Sequence, residues 1–159
     1  MVVSGVKMFK GINSINVDTK GRIAIPARYR ADIESRAASR MVVTIDTEDK
    51  CLLLYCLTEW EEIEQKISAL PSFNKATRRI QRLLIGHATD VELDSQGRIL
   101  LPTQLREYAG ISKKVTLIGQ GKKFEIWCNE TWQKNCNDWL EDGSYGGGDL
   151  PDELSNISV

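Results

Sequence analysis

The chain has 159 residues, 42% hydrophobic and 27% charged, a balance that describes a globular protein and excludes a disordered or fibrous one. Its longest apolar run, Cys51-Leu52-Leu53-Leu54-Tyr55-Cys56-Leu57, falls far short of the roughly 20 residues of a membrane helix, and the N-terminus reads as no secretory signal. The formal net charge of −1 conceals a split, because residues 137–159 carry six acids and no Lys or Arg, leaving residues 1–136 with 21 basic against 16 acidic groups.

Along the chain, Ile15 and Val17 alternate with polar residues and predict a half-buried strand. The turn Asp18-Thr19-Lys20-Gly21 leads into a second alternating strand over residues 22–25, with Ile23 and Ile25 on one side and Arg22 and Ala24 on the other. Pro26 suits the first turn of a following helix, since its missing N–H would be orphaned there anyway. Strands are predicted over 41–45 and 52–55, and Thr58-Glu59-Trp60-Glu61 reads as a capping box opening a helix. That helix carries Trp60, Ile63, Ile67 and Leu70 on one face and ends at Pro71; another, over 75–85, carries Arg78, Arg79 and Arg82. Strands at Val91 and Leu93, 98–101, 115–118 and 124–127 follow, with a helix after Pro102 that stops near Gly110. Gly119-Gln120-Gly121 falls where a hairpin turn is expected. A last helix over 131–140 places Trp132, Cys136 and Trp139 along one side, and the Gly-rich, acidic remainder reads as a flexible tail.

The second half of this series repeats the first. Asp18-Thr19-Lys20-Gly21-Arg22-Ile23-Ala24-Ile25-Pro26-Ala27-Arg28-Tyr29-Arg30 returns 76 residues later as Asp94-Ser95-Gln96-Gly97-Arg98-Ile99-Leu100-Leu101-Pro102-Thr103-Gln104-Leu105-Arg106, with six positions identical. Downstream, Tyr55-Cys56 matches Trp127-Cys128 and Trp60 matches Trp132 at an offset of 72, and Val43-Thr44 matches Val115-Thr116. On that alignment the second copy lacks four residues between Arg106 and Val115. The chain is a duplication.

Each copy places Asp-x-x-Gly-Arg at a strand-to-strand turn. Read structurally, Asp caps the turn and Arg pairs with it on the surface. Read functionally, a carboxylate holds an arginine at the tip of a rigid hairpin, where it can bind phosphate or contact guanine with two hydrogen bonds. Duplication of the motif, with Arg28 and Arg30, then Arg106, beyond the prolines, favours the second reading. Residues 18–30 hold four basic groups against one acid, and residues 71–89 add four basic groups and no acid; the arginines of 75–85 suit a solvated helix face as well as they suit a ligand.

No catalytic constellation emerges. His87 stands alone and reads as a satisfied structural histidine. Cys51, Cys56, Cys128 and Cys136 have no CxxC or zinc-ligand spacing and read as inert hydrophobes, and no metal or cofactor is expected.

The two Asp-x-x-Gly-Arg turns, Tyr29-Arg30, the strand of 51–55, Glu59-Trp60-Glu61 and Arg82-Leu83-Leu84-Ile85-Gly86-His87-Ala88 together resemble the MraZ family of transcriptional regulators of the bacterial division and cell-wall gene cluster. The resemblance covers residues 8–140, and Met8-Phe9-Lys10-Gly11 looks like the usual start, so residues 1–7 are read as an upstream extension. It implies an α+β, mainly β fold in which two AbrB-like swapped-hairpin half-barrels complete one pseudo-symmetric barrel with added helices. The implied organisation is an extension and strand entry at 1–11, domains at 12–59 and 88–131, connecting helices at 60–87, a C-terminal helix at 132–140 and an acidic tail at 141–159. It also implies a nucleoid-associated cytoplasmic protein that forms ring-shaped homo-oligomers on direct repeats in double-stranded promoter DNA, with no membrane partner. The DNA-binding residues it implies are Asp18, Lys20, Arg22, Arg28, Arg30, Asp94, Arg98 and Arg106. Copy two departs from the basic pattern, with Gln96 for Lys20 and Gln104 for Arg28, which implies weaker contact. Two alternatives stay open: an antitoxin-type module of the same fold whose acidic tail binds a partner protein, and a hydrolase using His87.

Overall fold

The computed structural model describes residues 8–142 and 151–157. Two units divide the chain, residues 1–129 and 130–159. In the first, β1 (Phe9–Asn16), β2 (Arg22–Ala24), α1 (Ala27–Ala37), β3 (Arg40–Ile45), β4 (Leu52–Cys56) and α2 (Leu57–Ser68) form the first repeat. A connector, α3 (Lys75–Ile80) running into a π-helical turn at Gln81–Ile85, leads to β5 (Thr89–Glu92), β6 (Arg98–Leu100), α4 (Thr103–Tyr108), β7 (Lys114–Gly121) and β8 (Lys123–Cys128).

The fold is α+β and mainly strand. Six strands make an antiparallel sheet in the order β1-β7-β8-β4-β3-β5, and β2 pairs with β6 in a separate ribbon. The order reads the same from both ends once the repeats are exchanged: the first strand of each copy pairs with the third strand of the other, β1 with β7 and β5 with β3. At the pseudo-twofold axis Ile23 lies opposite Ile99 in the β2–β6 ribbon. The swapped-hairpin arrangement that the family resemblance implies takes the form of this exchange of strands.

The register corrects the alignment of the third strands. Val17 N–H donates to the Lys113 carbonyl and Leu93 N–H to that of Ser39. These are one bond in two copies, so Ser39 corresponds to Lys113, 74 residues on rather than 72. Accordingly Met41, not Val43, is the counterpart of Val115, and both pair with the cysteine that ends their hairpin, Cys56 and Cys128. The four missing residues are therefore split. Two are lost between α4 and β7, and two in the hairpin turn, where Gly121-Lys122 replaces residues 47–50. A two-residue shift keeps every side chain on its own face of the strand, which is why sequence matching tolerated the wrong register.

The core follows from the alternation. Ile23, Ile25, Ile99 and Leu101 are each at most 1% exposed and point into a cluster with Ile33, Leu105, Val115, Leu117 and Ile126. Copy one adds aromatic packing: Phe9 stacks on Phe124 at 4.2 Å between ring centroids, and Tyr29 meets Phe124 edge-on at 4.9 Å. On the opposite sheet face α2 lays Trp60 against Val42, Leu53 and Tyr55, and Trp60 Nε1 donates to Glu64 Oε2 at 2.9 Å.

Several local expectations shift by a residue or two. Pro26 and Pro102 are helix N-caps with extended ψ, one place before the first turn. Helix α2 starts at Leu57 behind Cys56, without a side-chain cap, so Thr58 is not the capping residue. It ends at Ser68 because a residue preceding proline is disfavoured in the helical region, which leaves Leu70 outside the buried face at 42% exposure. Gln81 Nε2 donates to the carbonyl of Ile67 near the helix end (3.0 Å). The turn between β7 and β8 is Gly121-Lys122, with Gly119 inside the strand opposite Gly11.

In the second unit α5, which starts at the boundary (Asn129–Asp142), brings Trp132 and Trp139 edge to face at 5.9 Å, and α6 (Asp152–Ser155) is a short helix. The upstream extension at residues 1–7 and the Gly-rich part of the expected tail at 143–150 lie outside the described residues.

Burial at the axis makes its core positions costly to truncate. Ile99→Ala is expected to lose about 2–5 kcal/mol, read as a lower urea midpoint at unchanged slope; a loss below about 0.5 kcal/mol would mean the ribbon is not packed as described.

Candidate functional site

The two Asp-x-x-Gly-Arg turns are built alike. Asp18 Oδ1 accepts from the backbone N–H groups of Lys20 (2.9 Å) and Arg22 (2.8 Å), and Oδ2 accepts from Arg22 Nε (2.7 Å). Asp94 takes the same three bonds from Gln96 N, Arg98 N and Arg98 Nε, each at 2.9 Å. Backbone bonds close each turn: Gly21 N–H donates to the Asp18 carbonyl and Gly97 N–H to that of Asp94. Both glycines have positive φ, +87° and +75°, a region closed to most side chains. One carboxylate thus organises the turn and orients the arginine that follows it.

Pairing of β2 with β6 brings the two arginines together. Ile23 and Ile99 point inward, so Arg22, Ala24, Arg98 and Leu100 share the outward face of the ribbon. Arg22 lies opposite Leu100 and Ala24 opposite Arg98, which sets the arginines diagonally, about 7–8 Å apart at the backbone. Only Nε of each is engaged by its aspartate; among the described residues the terminal guanidinium nitrogens of Arg22 and Arg98 make no hydrogen bond. Lys20 is exposed at the tip of the first turn. Between the arginines sits Leu100, 53% exposed, a residue that sequence reasoning passed over although the period-two alternation already placed it on the arginine side. The face offers two oriented forks and an apolar contact, the combination that reads phosphate, guanine and a thymine methyl.

The other expected residues lie elsewhere. Arg28 turns toward β1: Nη2 donates to Tyr29 Oη (2.7 Å), the guanidinium covers the Tyr29 ring, and Tyr29 Oη donates to the Lys10 carbonyl. Arg30 and Arg106 are half-buried, and their Nε atoms donate to the carbonyls of Ile25 (2.7 Å) and Leu101 (3.0 Å). Lys75, Arg78, Arg79 and Arg82 line one shallow cleft on the connector rather than the ribbon, with no ion pair among the described residues.

His87 Nδ1 bonds the Leu83 carbonyl at 2.7 Å, a satisfied structural contact. Cys51 and Cys56 are buried, which pushes both thiols up, Cys56 to about 11, and makes them poor nucleophiles. Among the described residues no three His, Cys, Asp or Glu side chains converge as metal ligands, and no helix is long and apolar enough to cross a membrane.

Comparison with known proteins gives a consistent result. The family model described as "MraZ protein, putative antitoxin-like" matches residues 8–83 and again 84–143. A protein of Coxiella burnetii (strain RSA 493 / Nine Mile phase I) named Transcriptional regulator MraZ is 60% identical over 152 residues, 96% of this chain and all of that protein. Proteins of the same name from Legionella pneumophila (strain Paris) and Halorhodospira halophila (strain DSM 244 / SL1) are 54% and 47% identical over the same shares.

The Asp18 turn carries a pH signature. Hydrogen bonds from the Arg22 backbone, then from its side chain and from Lys20 N–H, hold the carboxyl at about 2, below its ordinary 3.8. A depressed carboxyl stabilises the fold above its ordinary value and loses that contribution as pH falls from about 3.8 through about 2. A carboxyl carbon NMR titration is expected to show Asp18 ionised at pH 3, and an Asp18 midpoint near 3.8 would contradict the three-bond geometry.

Proposed function

This chain belongs to the MraZ family, and from that membership we propose that it is a sequence-specific, DNA-binding transcriptional regulator that presents Arg22 and Arg98 to double-stranded promoter DNA. The observation that carries the reading is the ribbon face on which two aspartate-anchored arginines lie side by side with their terminal nitrogens available. The relatives are named as transcriptional regulators, and the two carboxylates of the ribbon are engaged in orienting their turns and arginines.

The finer reading is that the chain assembles into ring-shaped homo-oligomers that bind direct repeats, works at the nucleoid, and represses its own division and cell-wall gene cluster. One ribbon with two arginines and Lys20 makes few phosphate contacts, and such a module binds weakly at physiological salt. Copies joined in a ring convert each later contact into an intramolecular one, so tandem sites gain affinity without new chemistry. The overall negative charge is no obstacle, because residues 137–159 hold six of the acids and the rest of the chain is net basic.

The antitoxin-like reading is separated by deleting residues 141–159: retained promoter binding supports the regulator, while loss of a stoichiometric co-purified protein supports the alternative. The regulator reading itself is tested by gel-shift titration on the chain's own promoter. Arg22→Ala is expected to weaken binding by about 1–3 kcal/mol and more than Arg98→Ala, because Lys20 accompanies Arg22 where Gln96 accompanies Arg98. Binding should fall steeply with added salt. Equal losses in the two folded variants would refute the asymmetry, and no binding to any promoter fragment would refute the reading.

A further inference from the structure

We propose that Arg30 and Arg106 are positioning residues that act across the repeats: Arg30 sets the hairpin that presents Arg98, and Arg106 sets the hairpin that presents Arg22. The inference rests on the DNA-binding reading for its affinity measurement and on the fold alone for the rest.

Each arginine is anchored in its own copy and laid over the turn of the other. Arg30 Nε donates to the Ile25 carbonyl at 2.7 Å, and Arg106 Nε to the Leu101 carbonyl at 3.0 Å. A methyl group added at Gly97 would overlap the guanidinium of Arg30, and one added at Gly21 would lie 2.7 Å from Cζ of Arg106. Both turn glycines are buried although they stand at hairpin tips, where a turn is ordinarily open to water.

The same two segments are tied by backbone. Ile25 N–H donates to the Gly97 carbonyl at 2.8 Å, and Leu101 N–H to that of Gly21 at 3.0 Å. Ile25 thus gives its N–H to the opposite turn and its C=O to Arg30, while Gly97 accepts the Ile25 N–H at its carbonyl, lies under the Arg30 guanidinium and is followed immediately by Arg98. Any movement of Arg30 shifts the peptide from which Arg98 springs, and Arg106 holds the same relation to Arg22. Arginine suits this place because its flat guanidinium can donate along one edge and stack against a bare Cα with its face; a lysine ammonium offers a point charge and no plane. Gly21 and Gly97 thus meet two separate demands, the positive φ of the turn and a Cα covered by the other repeat's arginine.

The test uses the full chain and a fluorescein-labelled duplex of its own promoter. Arg30→Gln combined with Arg98→Ala is expected to bind within about twofold of Arg98→Ala alone, whereas combined with Arg22→Ala the losses should multiply, since contacts that share no partner add in free energy. Multiplication with both would make Arg30 an ordinary DNA contact and overturn the proposal. Arg30→Lys separates charge from shape: the proposal expects it to behave as Arg30→Gln, and full rescue would overturn it. Amide exchange without DNA supplies an independent measure, with faster exchange expected at residues 94–98 and not at 18–22 in either variant. Acceleration confined to 18–22, or none, would overturn the coupling. Wild-type protein that bound no promoter DNA would sink the proposed function while the exchange result still decided the coupling.

Discussion

The β2–β6 ribbon is the element on which the rest of the molecule depends. Three-residue strands make a pair too short to persist alone in water, and this one survives because Ile23 and Ile99 are buried beneath it and each turn lends its glycine carbonyl to the opposite strand. The exchange of β1 and β5 between copies has the same consequence on the large sheet. A single repeat would expose a core face, leave two strand edges unpaired and lose the cover over its own turn glycine. Duplication is thus a condition of folding as well as a way to present two arginines.

The Asp–Arg pairs are better understood as preorganisation than as stability. Both ions are about one-third exposed, and exposed pairs contribute little to folding. On the proposed reading, one guanidinium edge fixes orientation and the other is left for DNA, which would lower the entropy lost on binding. The carboxylates also offset the repulsion of two guanidinium groups on one small ribbon, and a phosphate ligand would add to that charge balance.

Pseudo-symmetry is kept at the ribbon and relaxed away from it. Tyr29, packed against Phe9, fills space with an aromatic ring where copy two has Leu105, and residues 47–50 become a two-residue turn. The hairpin tips differ by the near-equivalent pair Thr19 and Ser95 and, in charge, by what accompanies the arginine, Lys20 or Gln96. Backbone placement is therefore shared, and the electrostatic character of the two tips is not.

Alternation of Ile23 and Ile25 against Arg22 and Ala24, the positive-φ glycines and the proline boundaries were legible because they are local: a short segment contains the whole reason for each. The third-strand register was not, because shifting by two residues preserves the in–out pattern and only hydrogen bonds to another strand distinguish the choices. Arg28, Arg30 and Arg106 illustrate the same limit. As residue types near a basic turn they read as ligand contacts; their hydrogen bonds to Tyr29, Ile25 and Leu101 are tertiary contacts that no local pattern announces. The amino-acid sequence by itself determined the duplication, the strand and turn pattern, the asymmetric charge and the two Asp–Arg turns, since these rest on spacing and side-chain chemistry. Tertiary structure alone decided that the two turns would share one face and that each would be completed by the other repeat, because those contacts join residues some 76 positions apart whose proximity is set only when the whole core closes.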